Sequence, residues 1–146
     1  MMAVTREMKD KLASAAVKAR EASYSPYSGF AVGAVLLAED GRIFTGCNIE
    51  NAAFSPTICA ERVALFKAVS EGARGFKALA VSGGPAGKAP TSLCTPCGVC
   101  RQALSEFCRP DMPVICAYES EEDGSLVTKV FTLGRLLPES FGPDNL

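Results

Sequence analysis

The sequence predicts an α/β fold of three layers, in which a five-stranded mixed sheet carries helices on both faces. The first supporting observation is the alternation of strand-like and helix-like segments through the middle of the chain. Such alternation is typical of βαβ units packed into a mixed sheet. The second is the length of 146 residues, which suits one domain with a substantial core. We therefore expect residues 1–146 to form a single domain.

The first third of the chain predicts a helix followed by a β-hairpin. Apolar residues at helical spacing predict a helix from Thr5 to about Ala22. The continuous apolar run Phe30–Ala38 predicts a strand buried on both faces, and Arg42–Cys47 predicts a second, shorter strand. Asp40-Gly41 between them is typical of a hairpin turn, so the two strands are expected to be antiparallel.

Helices and strands alternate in the remainder of the chain. Apolar periodicity predicts a helix over Ile58–Glu71, with Thr57 as its N-cap and Gly72 as its C-terminal stop. Thr95-Pro96 is typical of an N-cap followed by proline at the first helical position, and this helix would end near Cys108. Further strands and a short helix are predicted at Phe76–Gly83, Pro113–Tyr118, Leu126–Phe131 and Leu133–Leu137.

The charge balance narrows the choice of partners. The chain has 15 basic and 16 acidic residues, for a net charge of −1. Polynucleotide binding relies on several contacts between basic side chains and phosphates, and no basic run here is dense enough to supply them. No apolar stretch approaches the roughly 20 residues needed to span a bilayer. The charged N-terminal segment lacks the apolar core of a signal peptide, so we expect a cytoplasmic protein with no polynucleotide or membrane partner.

The cysteines point to a metal. The chain has 7 cysteines and no histidine. An odd number of cysteines in a reducing compartment argues against a disulfide framework. Three of them form a C-x2-C-x2-C run at Cys94, Cys97 and Cys100. A metal site in this chain must use Cys, Asp or Glu ligands, and no histidine can act as a general base.

The cysteine run is compatible with several kinds of site. A ferredoxin-type iron–sulfur run needs a fourth cysteine four residues later, but Leu104 stands there. A structural zinc site would close with a fourth thiolate, from Cys59 or Cys108. Buried cysteines can also be small apolar core residues. That is the preferred interpretation of those in strand patterns or at a helix end, which are Cys47, Cys108 and Cys116.

A catalytic zinc site would use three ligands and leave the fourth position to water. Cys97 and Cys100 are three residues apart in a predicted first helical turn, so they share a face. Cys59 lies in the predicted first turn of the preceding helix, and helix N-termini favour thiolates. Glu61, two residues after Cys59, would then be a proton shuttle instead of a solvent-facing carboxylate. Arg62, at i+3 from Cys59, could donate to the thiolates and withdraw charge from them.

These motifs resemble those of the zinc deaminases, in which a ligand, one residue and Glu precede a P-C-x-x-C segment. The matching segments here are "CAE" (59–61) and "PCGVC" (96–100). Taken with "SPYSGFAVGA", "GCNIENAAFSPTICAERVALFKAVSEG", "PCGVCRQALSEF" and "LLPESFGP", the chain resembles the small homotetrameric, zinc-dependent cytidine deaminases from about Ser25 to Pro143. Phe54 and Thr95 stand where that family commonly has Tyr and Ser.

The resemblance implies a cofactor and roles for individual residues. One Zn²⁺ per subunit would be held by Cys59, Cys97 and Cys100, and zinc-activated hydroxide would attack C4 of cytosine with Glu61 as the proton shuttle. Substrate binding would involve residues from several segments, with the last of them supplied by a neighbouring subunit: Phe30, Asn48, Glu50, Ala60 and Phe141. The family is homotetrameric with shared active sites, so the same assembly is implied here.

The implied activity is hydrolytic deamination of cytidine and 2′-deoxycytidine to uridine and 2′-deoxyuridine plus ammonia, as in pyrimidine salvage. A deaminase acting on a cytosine nucleoside analogue, as in antibiotic resistance, is an alternative that the "NIEN" motif (48–51) disfavours. A non-catalytic zinc-stabilised binding module is a second alternative, of a different class. A polynucleotide-editing deaminase fits the near-neutral charge least well.

Overall fold

A computed structural model describes residues 3–146 and confirms the predicted fold class. Four α-helices and five strands are assigned within these residues, and short 3₁₀ turns at Arg20–Ala22 and Pro143–Asn145 extend the first helix and the tail. In chain order the elements are α1 Arg6–Ala19, β1 Phe30–Ala38, β2 Ile43–Cys47, α2 Ala60–Ser70, β3 Phe76–Pro85, α3 Gly98–Phe107, β4 Pro113–Glu119, β5 Leu126–Thr132 and α4 Leu133–Leu136. No helix within residues 3–146 is both long and apolar enough to cross a membrane. The expectation of a single domain over residues 1–146 stays a prediction, and Met1 and Met2 lie outside the described residues.

The five strands in the described part of the chain form one mixed sheet in the order β2-β1-β3-β4-β5. Strand β1 is antiparallel to both β2 and β3, β3 is parallel to β4, and β4 is antiparallel to β5. The predicted hairpin pairs Leu37 with Ile43, and Gly41 in its turn has a φ of +93°, a value that glycine adopts without strain.

Two apolar clusters cover the two faces of the sheet. Alternate residues of β1, such as Ala34 and Leu36, pack with α2 and with Leu104 of α3. The intervening residues Val35 and Leu37 pack against α1 on the opposite face. Because successive strand residues face opposite sides, β1 reads as a continuous apolar run, and the prediction that both its faces are buried is confirmed.

The predicted start of α2 was wrong. The helix begins at Ala60 with Cys59 as its N-cap, not at Ile58 with Thr57 as the cap. Ile58 instead forms a β-bridge with Ile49, and the Thr57 hydroxyl accepts a hydrogen bond from the Asn51 amide at 3.0 Å. Both residues are therefore already committed to the preceding loop. The predicted stop is confirmed, because Gly72 follows the helix with a φ of +97°.

The predicted start of α3 was also wrong. Cys97 is the N-cap and the helix begins at Gly98, whereas Thr95-Pro96 was expected to cap and start it. The Arg101 side chain folds back over this segment, donating from Nε to the Pro96 carbonyl at 2.6 Å and from Nη2 to the Thr95 hydroxyl at 3.1 Å. These contacts hold Thr95 and Pro96 in an extended approach to the helix.

The topology places the beginnings of α2 and α3 at one edge of the sheet. Strands β2 and β3 run in the same direction, because both are antiparallel to β1, which lies between them. Helix α2 follows β2 and helix α3 follows β3, so both helices begin beyond the carboxyl ends of those strands. The first residue of β1, Phe30, is at the same edge. Residues distant in the sequence therefore meet there.

Gly46 allows α2 to lie directly on β2, and this packing predicts a large effect of a small substitution. A Cβ atom at Gly46 would clash with the Ala60 carbonyl and lie 2.6 Å from the Ala64 nitrogen. We expect Gly46→Ala to cost about 1–3 kcal/mol of stability, the usual range for overpacking, and to weaken metal retention because Ala60 separates Cys59 from Glu61. Denaturant unfolding and zinc content would measure both effects.

Gly142→Ala is the matched control for Gly46→Ala. No heavy atom lies within 4 Å of the position of its added Cβ, and its extended backbone, with φ −160°, accepts any residue. The packing argument would be contradicted if Gly46→Ala had the same free energy of unfolding and the same zinc content as Gly142→Ala.

Candidate metal centre and active site

Three thiols meet at the shared sheet edge. The sulfur atoms of Cys59, Cys97 and Cys100 all lie within 4.8 Å of one another, and those of Cys59 and Cys97 are 3.7 Å apart. Cys100 is buried, Cys59 is half-buried and Cys97 is exposed. The cluster therefore reaches from the core to an accessible surface, as a site that admits a substrate must.

The donor set fits zinc. Two Zn–S bonds of about 2.3 Å at the tetrahedral angle place their sulfurs about 3.8 Å apart, close to the Cys59–Cys97 separation of 3.7 Å. Soft thiolates are preferred zinc ligands. Among the described residues, the metal-binding grouping contains these three cysteines and does not include Cys94. A three-ligand site with room for water fits this arrangement better than a closed four-thiolate site.

Cysteine occupies the N-cap position of both helices. Cys59 and Cys97 were expected inside the first turns, but each has the extended backbone of a cap, with ψ values of 155° and 166°. Cys100 lies in the first turn of α3, and its spacing from Cys97 keeps the two sulfurs together. The cap position places thiols beside the free N–H groups of a helix terminus, where negative charge is stabilised.

The electrostatic environment favours a thiolate at Cys59. A hydrogen bond from the Cys100 thiol and the nearby Arg62 guanidinium lower the pKa of Cys59 to about 5. The same thiol–thiolate hydrogen bond raises the pKa of Cys100, because the Cys100 thiol must keep its proton to donate it to Cys59. Metal binding requires the thiolate form of every ligand, so binding would release the remaining protons.

Glu61 is a buried carboxyl beside the thiols. Its exposed fraction is 4%, yet it lines the cavity that opens at the cysteines. Burial raises the pKa of Glu61 to about 7, since transfer from water penalises the charged form. A carboxyl with a pKa near the working pH can both accept and donate a proton.

Arg62 contacts the cluster as the i+3 spacing predicted. Its Nη2 donates to the Cys59 sulfur at 3.4 Å, and its buried Nε has no hydrogen-bond partner among the described residues. Three thiolates would outweigh the charge of one Zn²⁺ by one unit. A guanidinium at this distance offsets that excess and withdraws electron density from the sulfur.

Replacing Arg62 with glutamine is expected to lower turnover by about 10- to 100-fold, the usual effect of losing a residue that supports a metal ligand. Folding stability should change less, because the hydrogen bond from the side chain to the Cys59 sulfur is long. The measurements are kcat, zinc content and the thermal midpoint, with Arg109→Gln as a control at an exposed pair to Asp111. Normal turnover by a zinc-loaded Arg62→Gln protein would exclude charge tuning.

The cavity at the cysteines has a volume of about 350 Å³ and is lined by predicted substrate residues. Asn48 is one of them, and most of its amide is already engaged. Its Oδ1 accepts from the Val32 amide at 2.9 Å and from the Ser23 hydroxyl, while its Nδ2 donates to the Phe30 carbonyl at 2.8 Å. An amide nitrogen has two hydrogens, so one N–H donor remains.

Glu50 has a free hydrogen-bond acceptor, which complements the free donor of Asn48. Its Oε1 accepts from the amides of Tyr27 and Ser28, each at 3.0 Å, and its Oε2 accepts from the Ser28 hydroxyl. The Ser28 hydroxyl and these backbone N–H groups hold the pKa of Glu50 below its usual value, so it remains an ionised acceptor. A free donor on Asn48 and a free acceptor on Glu50 match a hydroxyl group, which both accepts and donates.

The other predicted substrate residues are placed differently. Phe30 is 40% exposed and lines the cavity. Ala60 is fully buried and is not among the lining residues. Phe141 lies in the tail, where its side chain is 60% exposed and its carbonyl accepts from the Gln102 amide at 3.0 Å. The structure thus brings Phe30 to the thiols within one chain and leaves the expected role of Phe141 dependent on a neighbour.

Some residues of the site were not found from the sequence. Ser23 and Ser28 orient Asn48 and Glu50, but serines in a loop carry no sequence signal of that role. Cys94 lines the cavity without joining the three-thiol grouping, and burial raises its pKa to about 11. It therefore stays a neutral thiol in the cavity wall.

Comparison with known proteins is consistent with this geometry. Residues 6–116 match the family described as "Cytidine and deoxycytidylate deaminase zinc-binding region". A cytidine deaminase of Sporosarcina psychrophila is 52% identical over 137 residues, covering 94% of this chain and 93% of the relative. One from Halalkalibacterium halodurans is 44% identical over 131 residues, covering 90% of this chain and 92% of the relative.

Solved structures show the same similarity. A crystal structure of cytidine deaminase from Burkholderia pseudomallei superposes with a TM-score of 0.77 at 41% identity, covering 94% of this chain and 100% of that one. The cytidine deaminase from Mycobacterium tuberculosis superposes with a TM-score of 0.72 at 37% identity, covering 91% of this chain and 96% of that one. Because residues 6–116 match this family and a relative of 52% identity covers 94% of the chain, the chain belongs to the cytidine and deoxycytidylate deaminase zinc-binding family.

Proposed function

We propose that this chain catalyses the hydrolytic deamination of cytidine and 2′-deoxycytidine to uridine and 2′-deoxyuridine, with release of ammonia. The observation that carries the proposal is a single cavity that joins two sets of residues. Cys59, Cys97 and Glu61 line it together with Asn48 and Glu50. The first set suits metal-assisted hydrolysis and the second suits a sugar hydroxyl.

Cys59, Cys97 and Cys100 would hold one zinc ion per subunit. When bound, zinc acidifies water and so supplies a nucleophile near neutral pH. Arg62 would offset part of the negative charge of the thiolates through its contact with the Cys59 sulfur. The helix termini at Cys59 and Cys97 would add to that effect.

Glu61 would move the protons of the reaction. Its carboxylate would accept a proton from the water that adds at C4, and would deliver that proton to N3 of the cytosine ring. Protonated N3 makes C4 a better electrophile. The same carboxylate would then take the proton of the hydroxyl group added at C4 and pass it to the departing amine. The C4–N bond breaks and ammonia leaves, so one group serves as base and afterwards as acid. Its burial at 4% exposure keeps bulk water from competing for the proton.

Asn48 and Glu50 would select a nucleoside. The free Asn48 N–H would donate to a ribose hydroxyl and Glu50 would accept from it, as their remaining hydrogen-bonding capacity allows. Phe30 would pack beside the base or the sugar. The ionised Glu50 carboxylate would repel a 5′-phosphate brought close to it, and this favours free nucleosides over nucleotides and polynucleotides.

Phe141 would complete the site of a neighbouring subunit in a homotetramer. Its ring is 60% exposed in the single chain. Tyr27 and Phe54 form a further exposed aromatic pair beside the cavity residue Ser28, and their ring centroids are 6.1 Å apart. Ala60 would contact substrate through its backbone, since its side chain is buried. Sedimentation velocity of the purified protein would determine the assembly.

The deciding experiment is a cytidine-to-uridine assay on zinc-loaded protein, repeated after removal of the metal with a chelator. We expect turnover with zinc, loss on chelation and recovery when zinc is added back. A folded, zinc-loaded protein that converts neither cytidine nor deoxycytidine would overturn the proposal. Such a protein would instead be a binding module or a deaminase of a modified nucleoside, and a panel of cytosine nucleoside analogues would separate those outcomes.

A further inference from the structure

Arg20 is a buried cation on the far side of the sheet from the thiols. It follows α1, which packs on the face opposite to α2 and α3. Its exposed fraction is 8%, and it is not among the residues that line the cavity. Within residues 3–146, no carboxylate forms a salt bridge with it. Because burying a charge is costly, other polar groups must stabilise this guanidinium.

Among residues 3–146, the hydrogen-bond partners of its guanidinium are all main-chain carbonyls. Nε donates to Ala31 at 2.9 Å, Nη1 to Lys88 at 3.2 Å, and Nη2 to Gly84 and Pro85, each at 3.1 Å. Three segments are thereby tied to one rigid, planar group: the beginning of β1, the end of β3 and the loop that leads towards α3. Guanidinium supplies five donors in a fixed fork, a geometry that lysine cannot reproduce.

The segment held by Arg20 carries one wall of the cavity. Ala31 lies between Phe30 and Val32, both of which line it. The Asn48 side chain binds the two neighbours of Ala31 on the other side of the strand, through the Phe30 carbonyl and the Val32 amide. Hydrogen bonds therefore hold the beginning of β1 on both sides, from Asn48 on the β2 side and from Arg20 on the β3 side.

The end of β3 also touches that wall. A Cβ atom at Gly83, the neighbour of Gly84, would lie 2.7 Å from the Cys94 sulfur and 3.0 Å from Cε2 of Phe30. Phe30, Cys94 and the β3 backbone are thus in close packing. A shift of Gly84 or Pro85 would move the Phe30 ring and the Cys94 thiol within the cavity.

We propose that Arg20 is a positioning residue for substrate binding, which acts across the sheet by holding the Phe30–Val32 wall in place. This inference rests on the proposed nucleoside deaminase function. The thiols and Glu61 are carried by α2 and α3 on the other face, so Arg20 should affect how tightly the nucleoside binds more than how fast it reacts.

The test compares Arg20→Lys and Arg20→Gln with wild type, and uses Arg6→Gln as a control at an exposed position of α1. For Arg20→Lys we expect KM for cytidine to rise about tenfold, the order of effect of losing a charge-assisted hydrogen bond. The value of kcat should stay within about threefold of wild type. An interaction that stabilises the bound substrate and the transition state equally affects KM and not kcat. Arg20→Gln should raise KM further, and Arg6→Gln should leave it unchanged.

Zinc content and the thermal midpoint are measured on the same samples. An Arg20→Lys protein with wild-type KM would overturn the inference. So would Arg20 variants that lose zinc, fail to fold or lose kcat in proportion, because the role would then be structural. A wild-type protein that holds zinc and has no activity on cytidine would instead contradict the proposed function, which separates the two failures.

Discussion

Replacing Glu61 by glutamine is expected to lower kcat by about 10²- to 10⁴-fold, the usual contribution of a positioned general acid–base group. Glutamine has nearly the same shape but cannot accept and return a proton. The three sulfurs are untouched, so zinc content should remain that of wild type. Folding should be preserved or improved, because a buried carboxyl is replaced by a neutral amide.

The measurements for Glu61→Gln are single-turnover rates with cytidine, zinc stoichiometry and the unfolding midpoint. Glu106→Gln is the matched control, since Glu106 is an exposed carboxylate on α3. Retained turnover in the zinc-loaded Glu61→Gln protein would remove Glu61 from the mechanism. Loss of zinc together with activity would make Glu61 part of the metal site instead of the proton path.

Replacing Cys97 by alanine is expected to abolish both metal binding and activity. Loss of a direct ligand should weaken zinc binding by more than the roughly 10–100-fold that loss of a supporting residue costs. Cys97 is exposed, so the substitution creates no core cavity and isolates the effect of the missing ligand. The thermal midpoint should fall towards that of chelator-treated wild type, because a metal bound only by the folded state stabilises it.

Cys94→Ala is the control that distinguishes three ligands from four. Cys94 belongs to the same C-x2-C-x2-C run, but its sulfur lies outside the three-thiol grouping. We expect Cys94→Ala to bind one zinc per chain with wild-type affinity, measured by competition with a chromogenic chelator. A Cys94→Ala protein that loses zinc along with Cys97→Ala would mean a closed four-thiolate site.

The helix starts illustrate the limit of local sequence rules. Thr57 and Thr95 were the expected caps, because threonine is a good N-cap residue. Each hydroxyl is instead engaged elsewhere, by the Asn51 amide and by Arg101. The caps are Cys59 and Cys97, residues with no strong local preference for that position. Contacts at the approach to each helix, between residues six apart in the sequence, set the boundary, and the shift puts two proposed metal ligands at equivalent positions of two helices.

Asn48 and Glu50 show a similar division. The family resemblance implied that both residues bind substrate, and both line the cavity. The sequence carried no information on how much of each group is already used. Ser23, Ser28, Val32 and the Phe30 carbonyl occupy most of their hydrogen-bonding capacity, leaving one donor and one acceptor for a hydroxyl. That count depends on contacts between segments up to 25 residues apart.

The sequence by itself determined the layered α/β fold, the strands and a short list of possible ligand sets, because hydrophobic periodicity and the spacing of reactive residues are local properties. Only the tertiary structure showed which set comes together, since Cys59 meets Cys97 across 38 residues while the nearer Cys94 stays outside the cluster. It also decided that Arg20 holds the cavity wall in place by hydrogen bonds from the opposite face of the sheet. The physical reason is the topology of the sheet: β1, antiparallel to the strand on each side of it, brings both helix termini to one edge.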